Sequence, residues 1–325
     1  MTLLALIEHD QGALPEGARE TLTSGRALAE QMGVAMVALV IGNDASAMTE
    51  ELGAYGASDV FAVSHDLLTD YGPDAWADVV VQVAGALGAE AVTSTGTDRG
   101  NEVMAMVAAR MDVPFVANCT KVDSSADVWS MERIQWGGSL LEDATLAGET
   151  KLITFGHHSV VAAPADSPEA VTVTPWEVEL DPSVTTTMIK DRQVLAAGVT
   201  LATAPVVCSG GRGVGSAEGF GIIEEMAGLL EGAVGCSRAV TNLGWRNHAD
   251  QVGQTGQRIA PEIYIASGIS GAIQHWVGAM ASKRILAINT DPEANMVVKA
   301  DYAIIGDLHK VVPAITEEIR RRKGA

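Results

Sequence analysis

The chain has 325 residues, 47% hydrophobic and 19% charged, with a net charge of −20. That length and apolar content supply two domains with cores of their own and exclude wholesale disorder. The charge sets up a field that repels nucleic acid and anionic membranes, so any arginine that binds an anion must act locally.

No uninterrupted apolar run reaches the roughly 18 residues of a membrane helix, so direct membrane insertion is not expected. The opening "MTLLALIEHDQG" has no basic region and no small-residue cleavage site, so neither a signal peptide nor a transit peptide is expected. Cys119, Cys208 and Cys236 lie far apart, with no spacing for zinc or an iron–sulfur cluster. An odd, unpatterned set of cysteines fits a reducing, cytoplasmic setting, with no metal site expected.

In chain order, "LLALIEH" predicts a strand and "EGARETLTSGRALAEQM" an amphipathic helix with Leu22, Ala27, Leu28 and Met32 on its apolar face. "VAMVALVIG" and "DVFAVS" predict strands. "DAWADVVVQVAGALGA" predicts a helix, "EAVTSTGT" a strand, "NEVMAMVAARM" a helix and "PFVANCTKV" a strand. Strands alternating with helices imply a parallel sheet covered on both faces. After Val122, "VWSMERIQWGGSLLEDATL" and "KLITFGHHSVVAAPA" read as extended strands without helices between them, an antiparallel addition at the sheet edge. From Pro164 to about Arg192, proline and acidic residues give the character of a linker. The first domain is expected at 1–196 and the second at 197–325.

The second half restarts the alternation, which predicts a doubly wound α/β fold whose ligand lies at the carboxyl ends of the strands. "APVVCSGGRGVGS" is a strand and glycine loop leading into "AEGFGIIEEMAGLLEG", a helix. Its backbone N–H groups can approach a phosphate, with Arg212 adding a charge-assisted bond. The spacing is neither a Walker A motif nor a true GxGxxG, and a tight turn is the ordinary alternative. "GCSRAVT" puts Ser237 and Arg238 at the next strand end. "VGQTG" sets Gln254 and Thr255 between glycines, able to offer a donor and an acceptor to a heterocycle. "SGISGAIQH" contains Ser267, Gly268, Ser270 and Gly271. A helix is expected over Gly271–Met280 with Ser270 as its N-cap, an anion site, and His275 about a turn and a half inside. "AINTDPEA" ends a strand at Asn289, and "IIGDLHKVVP" ends the last at Asp307 beside Leu308. The terminal helix finishes in "RRRK", matched to its negative end. Any one loop could be a polar turn. Five successive strand ends carrying Gly, Ser, Thr, Arg, Asn or Asp describe a long ligand across one sheet edge. No paired carboxylates and no serine–histidine–aspartate order suggest hydrolysis.

These loops, in this order through about Ala204–Thr316, resemble the electron transfer flavoprotein α-subunit (FixB) family. "LLALIEHDQGAL" and "TGTDRGNEVMAMVAARMDVPFVANCTKV" extend a looser likeness into the first half. The resemblance implies a doubly wound FAD-binding (DHS-like) second domain and a first domain that meets a β subunit. The β subunit would carry AMP or a second FAD. Electrons would pass from dehydrogenases, such as the acyl-CoA dehydrogenase type of fatty acid β-oxidation, to an acceptor such as a quinone oxidoreductase. It implies Arg212 and Ser237 at the pyrophosphate or ribityl region, Arg238 against the isoalloxazine, and Gln254 and Thr255 on the ring with Thr255 near N5. Ser270 would hold a phosphate oxygen, His275 would donate towards flavin O2, and Asn289 and Asp307 would face the adenosine end. Gly268, Gly271 and Leu308 complete the implied cofactor set. A cation and a histidine donor beside a reduced flavin's negative edge would raise its potential.

The chain departs from the family pattern at Asn295–Val297, at Gln257–Arg258, and at "ITFGHHSV" around His157 and His158. Three rivals remain at this stage: the α subunit of an electron-bifurcating complex, a nicotinamide-dependent enzyme, and a non-redox nucleotide-binding protein. The nicotinamide rival would require an acidic residue about 20 positions beyond a true GxGxxG, a pairing the sequence lacks.

Overall fold

The computed structural model describes residues 2–42, 45–168, 170–191 and 199–324. The chain forms two compact units, Met1–Trp136 with Leu140–Gln193, and Gly137–Ser139 with Val194–Ala325. The expected boundary at 196/197 falls within 192–198, outside the described residues.

The first unit opens on β1 (Thr2–Leu6). Leu3 and Ala5 enter one core, Leu4 and Leu6 the other. Strand side chains alternate faces, so apolar residues at both phases require cover on both sides. Helix α1 (Glu16–Met32) covers the first face with Leu22 and Leu28 and ends at Gly33 in the left-handed region. Ala27, expected on the apolar face, is exposed. At 3.6 residues per turn it sits about 140° round the helix from Leu22. Strand β2 (Ala35–Ile41) leads through α2 (Thr49–Ala54), too short to announce itself by periodicity, to β3 (Asp59–Val63). Helices α3 (Pro73–Leu87) and α4 (Asp98–Met111) flank β4 (Ala91–Gly96) in sequence and cover the second face with Val79, Val83, Met104 and Val107.

Strands β5 (Phe115–Asp123), β6 (Trp129–Gln135) and β7 (Leu140–Leu146) pair antiparallel at the sheet edge, as expected. Strand β8 (Lys151–Gly156) corrects the sequence reading: it lies parallel between β4 and β5. All six of its residues are buried, and such a strand is stable only inside the sheet. The expected linker also contains structure, because β9 (Thr172–Trp176) extends the sheet parallel to β3. Pro175 is tolerated there because β9 is an edge, and Trp176 stacks on Phe61 with ring centroids 4.8 Å apart. The sheet order is β7-β6-β5-β8-β4-β1-β2-β3-β9.

The second unit contains β10 (Val206–Gly210), α5 (Gly221–Leu229), β11 (Ala233–Cys236), α6 (Arg238–Asn242) and β12 (Ile263–Ser267). It continues through α7 (Ile273–Ala279), β13 (Ile285–Asn289), α8 (Asn295–Lys299), β14 (Tyr302–Ile305) and α9 (Leu308–Lys323). The strands run parallel in the order β11-β10-β12-β13-β14. Residues of α5 and α9 (Ile223, Met226, Val312) share a core on one face, and Ala279 and Met296 of α7 and α8 join the core on the other. The winding reverses between β10 and β12. The basic end of α9 also serves as a set of ion pairs, with Arg321 and Arg322 on Glu318 and Arg320 on Glu225. Among the described residues no helix is long and apolar enough to cross a membrane.

Candidate functional site

Each sheet has one point where the winding reverses, and the two points differ chemically. In the first unit it lies between β1 and β4. There Thr97 caps α4 through Gly100 N–H and donates to Glu8 Oε1 at 2.6 Å. The Glu8 carboxyl therefore sits where a helix N-terminus would otherwise receive a phosphate, and burial pushes its pKa up to about 7. The second unit's reversal lies between β10 and β12 and presents glycines and an arginine instead. A Cβ on Gly268, which has φ +63°, would come within 2.9 Å of Gly213 Cα, so the two loops meet backbone to backbone.

All five strands of the second sheet end at one cavity of about 680 Å³. From β10 come Arg212 and Gly213, and from β11 Ser237 and Arg238. The β12 loop contributes Gly268, Ser270, Gly271 and His275, β13 contributes Asn289, and β14 leads to Asp307 and Leu308. Ten of the twelve residues expected to hold a cofactor therefore line one space. Arg212 and Arg238 are exposed and form no ion pair with any described residue.

Several of these groups already have structural partners. Asn289 Nδ2 donates to the Ile269 carbonyl at 3.0 Å, and its Oδ1 accepts from Asp291 N–H, so it ties two strand-end loops together. Asp307 caps α9, accepting from His309 N–H at 2.9 Å. Ser270 is not the cap of α7; Ala272 is. Gly271 adopts φ +76°, where a Cβ would come 2.3 Å from Met296 N, and the backbone becomes helical only after Ala272. The helix covers Ile273–Ala279, shorter than expected, and His275 lies in its first turn.

Gln254 and Thr255 are not among the cavity-lining residues. Their loop lies along α7, where Gln254 N–H donates to the Gln274 carbonyl at 2.7 Å. Beneath it is a residue the sequence reading missed. Gln251 is 1% exposed, accepts from Thr241 Oγ1 at 2.7 Å and donates to Thr255 Oγ1 at 2.9 Å. One buried amide thus joins the helix that begins at Arg238 to the loop that carries Thr255. Asn242, Gln274 and Thr290 also line the cavity without having been expected. Asn242 lies one turn into α6, Gln274 in the first turn of α7 and Thr290 one residue past β13, positions that were the available signal.

His275 is 6% exposed, and its Nε2 lies 2.7 Å from Tyr264 Oη. Burial holds the phenol protonated, and with its O–H donating to Nε2 the imidazole proton sits on Nδ1. Nδ1 is buried without a partner of good hydrogen-bond geometry. Burial pulls the ring pKa down to about 4, against a weaker pull from the Val252 carbonyl. At neutral pH the ring is a neutral donor. A buried, unpartnered N–H costs about 1–3 kcal/mol. That orphan, with two unpaired guanidiniums on the same cavity, fits a ligand that is anionic and rich in acceptors.

The family model of the electron transfer flavoprotein domain matches residues 3–181, and that of the electron transfer flavoprotein FAD-binding domain matches residues 200–280. The chain is 37% identical over 325 residues to the electron transfer flavoprotein subunit alpha of Mycobacterium tuberculosis, covering 99% of each. It is 34% identical over 319 residues to that of Thermoanaerobacterium thermosaccharolyticum, covering 97% of each. Protein FixB of Azorhizobium caulinodans is 34% identical over 325 residues, 97% of this chain and 88% of the relative. The chain belongs to the electron transfer flavoprotein α-subunit family. Its FAD-binding family region contains β10 to α7, the segment that includes both unpaired arginines and the orphaned imidazole. The three cysteines of this α-subunit family member are buried and free, and burial pushes each thiol up to about 12. They are poor nucleophiles and metal ligands, so thiol chemistry is not a feature of the site.

Proposed function

We propose that this chain is an electron transfer flavoprotein α subunit that holds one FAD across the carboxyl edge of its second sheet. It would work as a heterodimer with a β subunit, relaying electrons from a dehydrogenase to an oxidoreductase acceptor. The observation that carries this reading is the convergence of all five strand ends on one cavity where, among the described residues, Arg212, Arg238 and the His275 Nδ1–H have no partner. Bound FAD would supply the one- and two-electron chemistry, and the protein would set its energy and position.

In this reading Arg212, Ser237 and the loop Gly268–Gly271 hold the pyrophosphate region. Arg238 places positive charge against the flavin, countering the field of a chain with net charge −20. His275 donates from Nδ1 as a neutral ring, fixed in that tautomer by Tyr264. Gln254 and Thr255 reach the ring from the loop that Gln251 anchors, while Asn289, Asp307 and Leu308 border the adenosine end. Three buried free thiols support a cytoplasmic setting.

The test is an absorbance spectrum of the chain co-purified with its β subunit, followed by redox titration. A flavin spectrum is expected. Arg238→Ala should lower the flavin potential by on the order of 60 mV, the one-electron equivalent of about 1.4 kcal/mol. Arg212→Ala and Ser270→Ala should lose colour on desalting. A colourless complex, or an unchanged potential in Arg238→Ala, would sink the assignment. Retained FAD with a shifted potential in Arg212→Ala would mean the two ends of the cofactor are reversed.

A further inference from the structure

The end of β8 in the first unit carries a cluster that the flavin reading does not use. Strand β8 finishes at Gly156, and the next two residues are His157 and His158. His158 adopts φ +60°, unusual for a residue with a side chain, and this turn brings its ring back over α1. Glu20, on α1, accepts from the His158 backbone N–H at 2.8 Å through one oxygen and meets His158 Nδ1 at 2.9 Å through the other. The His157 ring stacks on that of His158 with centroids 3.7 Å apart. Its edge lies over Gly17, one helical turn before Glu20, where a Cβ would come within 3.2 Å of His157 Nε2.

We propose that Glu20, His157 and His158 form a binding site for one divalent transition-metal ion of the zinc class. The three side chains each offer a nitrogen or carboxylate oxygen, and these atoms lie within 4.8 Å of one another. Metal bonds of about 2.0–2.2 Å put tetrahedral ligand atoms roughly 3.4 Å apart, a gap that small side-chain rotations close. Imidazole with carboxylate is the donor chemistry of zinc and its neighbours rather than of calcium or magnesium. Two histidines and one glutamate leave a further coordination position for solvent. Both histidines retain partial exposure, which gives the ion a way in.

Charge favours an ion over a mere structural clamp. Glu20 is 5% exposed, and its one ion pair among the described residues is with His158. A buried carboxylate needs a positive partner. The Glu20–Nδ1 contact leaves the His158 Nε2 lone pair free, so the carboxylate can serve as ligand or as the group that orients a ligating histidine.

The experiment uses the full chain with no polyhistidine tag, stripped with chelator and titrated with zinc and cobalt(II) under excess magnesium to mask exposed acids. One equivalent of zinc is expected per chain, with a visible cobalt(II) spectrum of low coordination number and a rise in thermal midpoint on adding zinc. His157→Ala should weaken zinc binding by about tenfold or more. Glu20→Gln retains a hydrogen-bond acceptor for His158 and should weaken binding by about 10–100-fold. No saturable binding in the parent would overturn the site. So would the same stoichiometry and affinity in parent, His157→Ala and Glu20→Gln. A zinc-dependent midpoint that persists in His157→Ala would also overturn it, by placing the ion elsewhere.

Discussion

His275 shows how much one residue's meaning depends on its surroundings. As a letter in "SGISGAIQH" it could have been a surface residue, a core residue or a charged donor. In the folded chain it is a buried neutral ring tied to Tyr264. Its folded pKa of about 4 lies below the ordinary 6.5. Above pH 6.5 the ring is neutral in both states and contributes no pH dependence. As pH falls below 6.5 the unfolded chain takes a proton that the folded ring refuses, so stability is lost progressively until about pH 4. Each unit of that interval is worth about 1.4 kcal/mol, giving a loss approaching about 3 kcal/mol. In the cofactor-free chain, His275→Asn should flatten this fall, seen as a smaller drop in urea midpoint between pH 6.5 and 4 than in the parent. An equal drop would mean that other groups dominate the acid response. The sequence marks His275 for attention, but its neutral charge follows from burial and its ring is paired with Tyr264 eleven residues earlier, a pairing that spacing alone does not reveal.

Element by element, strands and helices were legible wherever apolar periodicity ran long enough. The β1, α1, α3, α4 and α9 segments declare themselves in this way. Short elements did not: α2 has too few residues to show a period, and α7 is shorter than its sequence pattern because Gly271 and Ala272 continue the helical pattern with non-helical backbone, Gly271 in the left-handed region. Strand β8 was recognised as a strand but misplaced, because a continuous apolar run says that both faces are buried without naming the neighbours. The "VGQTG" loop behaves as part of the α7 element. Gly253 and Gly278 touch so closely that a Cβ on Gly278 would come 2.3 Å from Gly253 N. Only backbone is available to yield there. Gly278→Ala should therefore cost about 1–3 kcal/mol of stability and displace Thr255 together with Gln254. Chemical denaturation checks the first effect and FAD retention in the co-purified complex the second. An unaltered midpoint would show that the loop can lift away from α7 at little cost.

At the scale of the whole molecule, net charge and strand-end chemistry pull in opposite directions. A chain with charge −20 is a poor host for an anionic ligand except where arginines stand unpaired, as Arg212 and Arg238 do among the described residues on the second unit's cavity. Ligand binding to a site built from five separate strand ends should stabilise the sheet that holds them. FAD at 100 times its dissociation constant should add about 2.7 kcal/mol to folding, read as a rise in thermal midpoint that disappears with Arg212→Ala. A midpoint insensitive to FAD would remove the cavity as its site. The amino-acid sequence by itself determined the α/β alternation, the family and nearly all the loops that meet at the cavity, because apolar period and strand-end glycines are local properties of the chain. Only the tertiary structure decided which loops share a wall, where β8 sits, that Gln251 anchors Thr255, and that Glu20 meets His157 and His158. Each of those facts depends on contact between residues distant in sequence, where burial, charge and backbone fit are settled together.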